Sequence, residues 1–127
     1  MREARTWFVR EFNPTTADEL ISIITGPKNA FFRMVLGYWD MAASMVTHGA
    51  IDADTFFAAH GEVMAAFSKV QPYIEQIRAR NVSPDFCRHV EQIVMARPNA
   101  EAILAKFRAM LLASARQRAA AAVTPNT

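Results

Sequence analysis

The 127-residue sequence is poor in the residues that build several common site types. It holds one cysteine, four glycines and six prolines. The single cysteine, Cys87, excludes an internal disulfide and a cysteine-rich metal site. Charge of one sign is also scarce. Fourteen Lys+Arg stand against twelve Asp+Glu, and a net +2 does not argue for nucleic acid by itself. Long hydrophobic runs are missing too. The longest apolar region, residues 30–46, is interrupted by Arg33 and Asp40, so no membrane span is expected. The apolar run at Trp7-Phe8-Val9 is far too short for a signal peptide. A cytoplasmic protein of bacterial type is the resulting expectation. No strong catalytic or ligand motif stands out.

What is present is helix-forming material. Twenty-three alanines and a 52% hydrophobic content suit one helical domain with a proper core. They exclude collagen-like, disulfide-rich and disordered classes. The basic excess is local: residues 97–127 carry five bases and one acid, Glu101. Cations near the end of a last helix also suit its dipole.

Punctuation divides the chain into about six helices. The first spans 2–12 with Trp7, Phe8 and Phe12 as anchors, and Asn13-Pro14 stops it. Thr16 and Glu19 form a capping box for a short second helix, ended by Gly26-Pro27. A third helix is expected over about 28–47. Phe32, Val35, Trp39, Ala42 and Val46 form one apolar stripe at 3-4 spacing. Phe31, Met34, Tyr38, Met41 and Met45 form a second beside it. A face this broad must be enclosed in the fold or meet a second subunit. Gly37, Ala43 and Ser44 would allow close approach there.

Gly49 closes the third helix and Asp52 caps the fourth, with Ile51 and Phe56 as a hydrophobic staple. The seam Phe56, His60, Val63, Phe67, Val70, Ile74, Ile77 predicts one long fourth helix, kinked at Pro72 and ending near Arg80 with Asn81 as its C-terminal residue. Ser83-Pro84 should open a fifth helix, and Pro98-Asn99 should separate it from a sixth. The expected fold is all-α: an antiparallel helical bundle, four long helices and two short N-terminal ones. Residues 1–118 form one domain, and 119–127 are expected to fray or be disordered.

The stretch Tyr38-Trp39-Asp40-Met41-Ala42-Ala43-Ser44-Met45-Val46-Thr47-His48-Gly49-Ala50-Ile51-Asp52 resembles a pattern in small bacterial helical proteins of unknown function. There an aromatic-rich helix ends in Gly, and Ile-Asp caps the next one. The resemblance implies a helical fold and carries over no activity, ligand or catalytic residue. Some such proteins resemble membrane-anchored ones with an added N-terminal span, which is not expected here.

Several residues are candidates for chemistry. His60 lies in the apolar seam, where a buried, hydrogen-bonded histidine is the plain reading and a pocket imidazole the functional one. Gly61 beside it reads as close helix approach or ligand access. Asp40 shares a polar stripe with Arg33 and Ser44, so an ion pair is the plain reading. An Asp40–His60 contact between the packed third and fourth helices would make either a pair in which one side chain orients the other or a general-base dyad. His48 suits a helix C-terminus. Asp85 and His89 are four apart, but with Cys87 turned away from His89 they fall short of a metal site. Cys87 reads as a small buried hydrophobe, or as a thiol activated by a helix N-terminus. The turn at 96–99 invites a helix-turn-helix reading, yet Ala100 to Ala105 lack base-reading side chains, which argues against nucleic acid.

Three functions are therefore expected, in order. The first is a non-enzymatic binding or regulatory module that self-associates, most simply as a homodimer, through the broad face of residues 30–46. The second is a small-molecule binding protein with an apolar pocket bordered by Tyr38, Trp39, Asp40 and His60. The third is an enzyme using Asp40 and His60 as an acid-base pair. Neither a cofactor nor a metal is expected, and a partner would be a second copy, a small molecule or another protein.

Overall fold

The computed structural model describes residues 1–80 and 84–123. Among these, every regular element is helical, and there is no strand. The helices are α1 (Arg2–Arg10), α2 (Ala17–Ile24), α3 (Asn29–Thr47), α4 (Ala53–Ala59), α5 (Glu62–Ser68), α6 (Ile74–Arg80), α7 (Arg88–Met95) and α8 (Ala100–Val123). A single 3₁₀ turn, Gln71–Tyr73, joins α5 to α6.

Local chemistry sets several boundaries as expected. Thr16 accepts the Glu19 amide at 3.1 Å, and Asp52 accepts the Thr55 amide at 3.0 Å. Both leave fewer helix N–H groups without a partner. The Glu19 carboxylate reaches back to Thr15, one residue before the cap, rather than to the Thr16 amide. Gly49 follows α3 with φ +81°, a left-handed conformation that a residue without Cβ adopts freely. His48 is the C-cap of α3, its Nδ1 2.8 Å from the Ser44 carbonyl.

The expected fourth helix is three helices. The chain leaves α4 at His60, which has φ −130° and ψ 51°, and starts α5 after Gly61. Pro72 lies in the 3₁₀ turn, where its missing N–H and fixed φ interrupt the helix rather than kink it. The apolar seam survives these breaks. Phe56, Val63, Phe67, Val70, Ile74 and Ile77 are all buried, while His60, expected within the seam, is exposed. Gly61 does not mark close helix approach, because an added Cβ there would meet nothing within 4 Å.

The fifth expected helix also starts later. Pro84 sits in a turn and α7 begins at Arg88, after Cys87 in a left-handed conformation at φ 57°. Ser83 and Asn81, expected as caps, lie outside the described residues. At the other end α8 continues past residue 119 to Val123. Arg116 and Arg118 therefore stand before its last turn, so the helix dipole does not account for them.

The core is built on α3. Its Phe32, Val35, Leu36, Trp39 and Ala43 are buried, chiefly against α1 and α7, while α5 packs on α8. Phe12 ties the elements together, with ring centres 4.9 Å from Phe8, 5.3 Å from Trp7 and 5.5 Å from Phe32. Such tilted and edge-on aromatic contacts add to simple area burial. The second stripe of α3 is not enclosed. Met34, Tyr38, Met41 and Met45 are each 44–53% exposed.

Candidate functional site: an aromatic groove between α1, α3 and α5

A groove of about 520 Å³ opens between α1, α3 and α5, with Leu111 of α8 at its edge. This size is within the range of small-molecule sites, roughly 300–1,000 Å³. Phe8 and Val9 come from α1, one turn after Arg5. Val35, Tyr38 and Trp39 come from α3, and Ala65 and Ala66 from α5. The two alanines leave the space that larger side chains would fill.

The upper end is aromatic. Tyr38 and Trp39 meet edge-on at 5.1 Å, and the His60 ring lies 6.2 Å from Trp39 and 5.4 Å from Phe56. The break after α4 is what turns His60 away from the core and beside Trp39. Trp39 is only 6% exposed, yet its indole N–H has no hydrogen-bond partner among the described residues. Among the described residues no buried side-chain N or O lacks a partner, so the indole N–H touches open space. Neither the Tyr38 hydroxyl nor the His60 ring has a hydrogen-bond partner among the described residues.

At the rim, the Arg5 guanidinium forms a two-point ion pair with Glu62, Nε to Oε2 at 3.1 Å. This fork geometry holds both planar groups in place. The pairing raises the Arg5 pKa above its already high ordinary value.

The floor holds Lys69, which is 6% exposed. Its Nζ donates to the carbonyls of Phe8 at 2.6 Å, Phe12 at 2.9 Å and Val9 at 3.0 Å. The ammonium thus closes the C-terminal end of α1, where the helix dipole favours a cation. Burial, and then the charge of Arg118, push Lys69 down to about 8. No carboxylate pairs with it among the described residues.

Asp40 is elsewhere. Its Oδ1 accepts the backbone amides of His89 and Val90, both at 3.0 Å. A carboxylate from α3 therefore caps the N-terminus of α7, in place of the ion pair expected for Asp40. Thr47 adds a contact to His89 Nδ1 at 2.9 Å. The groove gathers Tyr38, Trp39 and His60, but Asp40 does not line it. Asp85 and His89 do not meet in a metal centre, since no group of three or more His, Cys, Asp or Glu is placed to hold an ion among the described residues. Cys87 is buried, and burial followed by the Asp40 charge pushes its thiol pKa up, the opposite of an activated thiol.

A domain of unknown function, DUF4760, matches residues 1–96. The chain belongs to that family. The DUF4760 match takes in every groove residue except Leu111. No curated protein and no solved structure matches the chain. Among the described residues, no helix is long and apolar enough to cross a membrane.

Nothing in the sequence marks Arg5 or Lys69 as a site residue, and Glu62, two residues after His60, points away from it on a helix and makes no metal motif there. Each reads there as a solvated charge, and only the meeting of α1 with α5 gives them a common site. Leu111 is likewise joined to them only by the packing of α8 on α5.

Proposed function

We propose that this DUF4760 chain binds a small, largely apolar molecule in the groove beside Trp39. The observation that carries the reading is the Trp39 indole N–H, unpartnered in an otherwise buried side chain that lines an apolar space. The indole N–H is open to solvent, and a ligand acceptor in the groove would take the place of water on it. Tyr38 and His60 supply further polar atoms at the same end. The walls are apolar enough to hold an alkyl or aryl body.

The test uses N-phenyl-1-naphthylamine, a neutral apolar dye that fluoresces when it leaves water. Saturable binding of one dye per chain is expected. Ala65→Phe fills the groove from α5 and should abolish it, with the helical circular dichroism unchanged. Dye binding that Ala65→Phe leaves intact, or no saturable binding by the parent chain, would overturn the reading.

Self-association is the second reading. It is favoured by the four half-exposed side chains Met34, Tyr38, Met41 and Met45 on one side of α3. Gly37 lies on the same exposed face, and nothing stands within 4 Å of a Cβ added there. The partner in this reading is a second copy of the chain. The helices would pack as an antiparallel bundle, and the pairing of α3 with α1 and α7 and of α5 with α8 supports the bundle part of that reading. The acid-base reading is the weakest, because the Asp40 carboxylate already holds two α7 amides.

A further inference from the structure

The groove has an unbalanced charge at one end. Its only carboxylate among the described residues is Glu62, which is paired with Arg5 at the rim. That pair leaves the rim close to neutral. Lys69 remains, almost wholly buried at the floor, with three carbonyl oxygens for partners. Those oxygens satisfy its hydrogens but supply dipoles and not a counter-charge. Arg118 adds charge of the same sign nearby and donates to the Arg10 carbonyl at 2.9 Å. Buried charges are normally paired, and this one is not.

We infer that the ligand of this groove is an amphipathic carboxylate, its head near Lys69 and its alkyl or aryl body running between α1 and α5 toward Trp39. The inference rests on the small-molecule reading of the same groove and adds the ligand's charge and orientation to it. Phe8, Val35 and Ala65 would flank the body. The carboxylate would supply the counter-charge that the protein omits, without displacing a resident acid. The lowered pKa of Lys69 agrees with this, since an anion beside it would relieve the burial penalty. A neutral molecule of the same length gains only the apolar contacts. A cationic one would meet Lys69 head on, with the Arg118 charge of the same sign nearby.

The experiment titrates the full chain with decanoate and with 1-decanol at neutral pH, followed by tryptophan fluorescence. Decanoate should bind about tenfold more tightly at low salt, and the preference should shrink as salt rises. Lys69→Met should bring the two ligands to equal affinity. Should that variant fail to fold, Arg118→Glu places a carboxylate near Lys69 with the lysine retained, and should reduce the preference in the same direction. If decanol binds as tightly as decanoate, and Ala65→Phe blocks both, the anionic head is refuted while the groove stands. If neither ligand binds, or Ala65→Phe blocks neither, the inference and the reading beneath it both fall.

Discussion

Lys69 reaches from the end of α5 to the last carbonyls of α1, and a four-carbon stem is what lets one ammonium cover that span. The cost of burying it shows in its acidity, about 8 against an ordinary 10.5. Between those two values the folded chain holds fewer protons than the unfolded one. Stability should therefore rise as pH climbs from about 8 toward 10.5, by on the order of 3 kcal/mol in full. Cys87 works with the opposite sign. Its buried thiol keeps its proton above the ordinary value of 9, so the unfolded chain ionises first and stability falls above that pH. The two effects separate in a Cys87→Ala background. Urea midpoints there should increase from about pH 8 to about pH 10, and the added Lys69→Met change should flatten the profile. A flat profile with Lys69 still present would show that its acidity is the same folded and unfolded.

At the scale of the element, the link between α4 and α5 is the informative failure of pattern reading. The 3-4 spacing from Phe56 to Ile77 reports which side of the chain faces the core, and that side is buried as expected except at His60. Spacing carries no information on whether the backbone runs unbroken, so one expected helix became three. The start of α7 was hidden for a different reason. Ser83-Pro84 has the local chemistry of a helix start, but the acceptor for the His89 and Val90 amides is Asp40, 49 residues away from His89. Tyr38, Trp39 and His60 were legible as neighbours because aromatic residues cluster in the pattern. Asp40 joins them in the sequence only by adjacency to Trp39 and by a contact with His60 that the fold does not make. At 100° per residue it sits on another side of α3 from Trp39, and it serves another element. Gly61 offers the sharpest check on the break. Its φ of −59° and ψ of −19° are helical, and an added Cβ has open space. Gly61→Ala should stabilise the fold by about 0.4–1 kcal/mol, mainly by narrowing the unfolded ensemble. The melting temperature should rise by roughly 2–6 °C. A fall would mean that the link needs the freedom of glycine after all.

The molecule as a whole buries only one side of its most apolar helix. The sequence left two outcomes for residues 30–46, full enclosure or half of an interface. Enclosure fails, since Met34, Tyr38, Met41 and Met45 stay half exposed while Phe32, Val35, Leu36 and Trp39 are covered. Methionine suits a surface that repacks on contact, because its side chain is flexible and polarizable. A two-fold pairing of α3 with its copy would cover this stripe on both chains at once, around Gly37. Four half-exposed side chains fall well short of the about 800 Å² per partner of a standard interface, so the association should be weak and concentration-dependent. Light scattering on a dilution series should show a mass that approaches two chains at the highest concentrations. Met41→Glu places like charges across the two-fold axis and should hold the mass at one chain throughout. Because Met41 is exposed in the single chain, that variant should melt with the same midpoint as the parent at concentrations where both are monomeric. A parent mass of one chain at every concentration would remove self-association and leave the groove proposal as the one reading of this face still to test. Tyr38 belongs to both surfaces, so an associating chain should also bind the dye of the groove test with an affinity that changes with protein concentration.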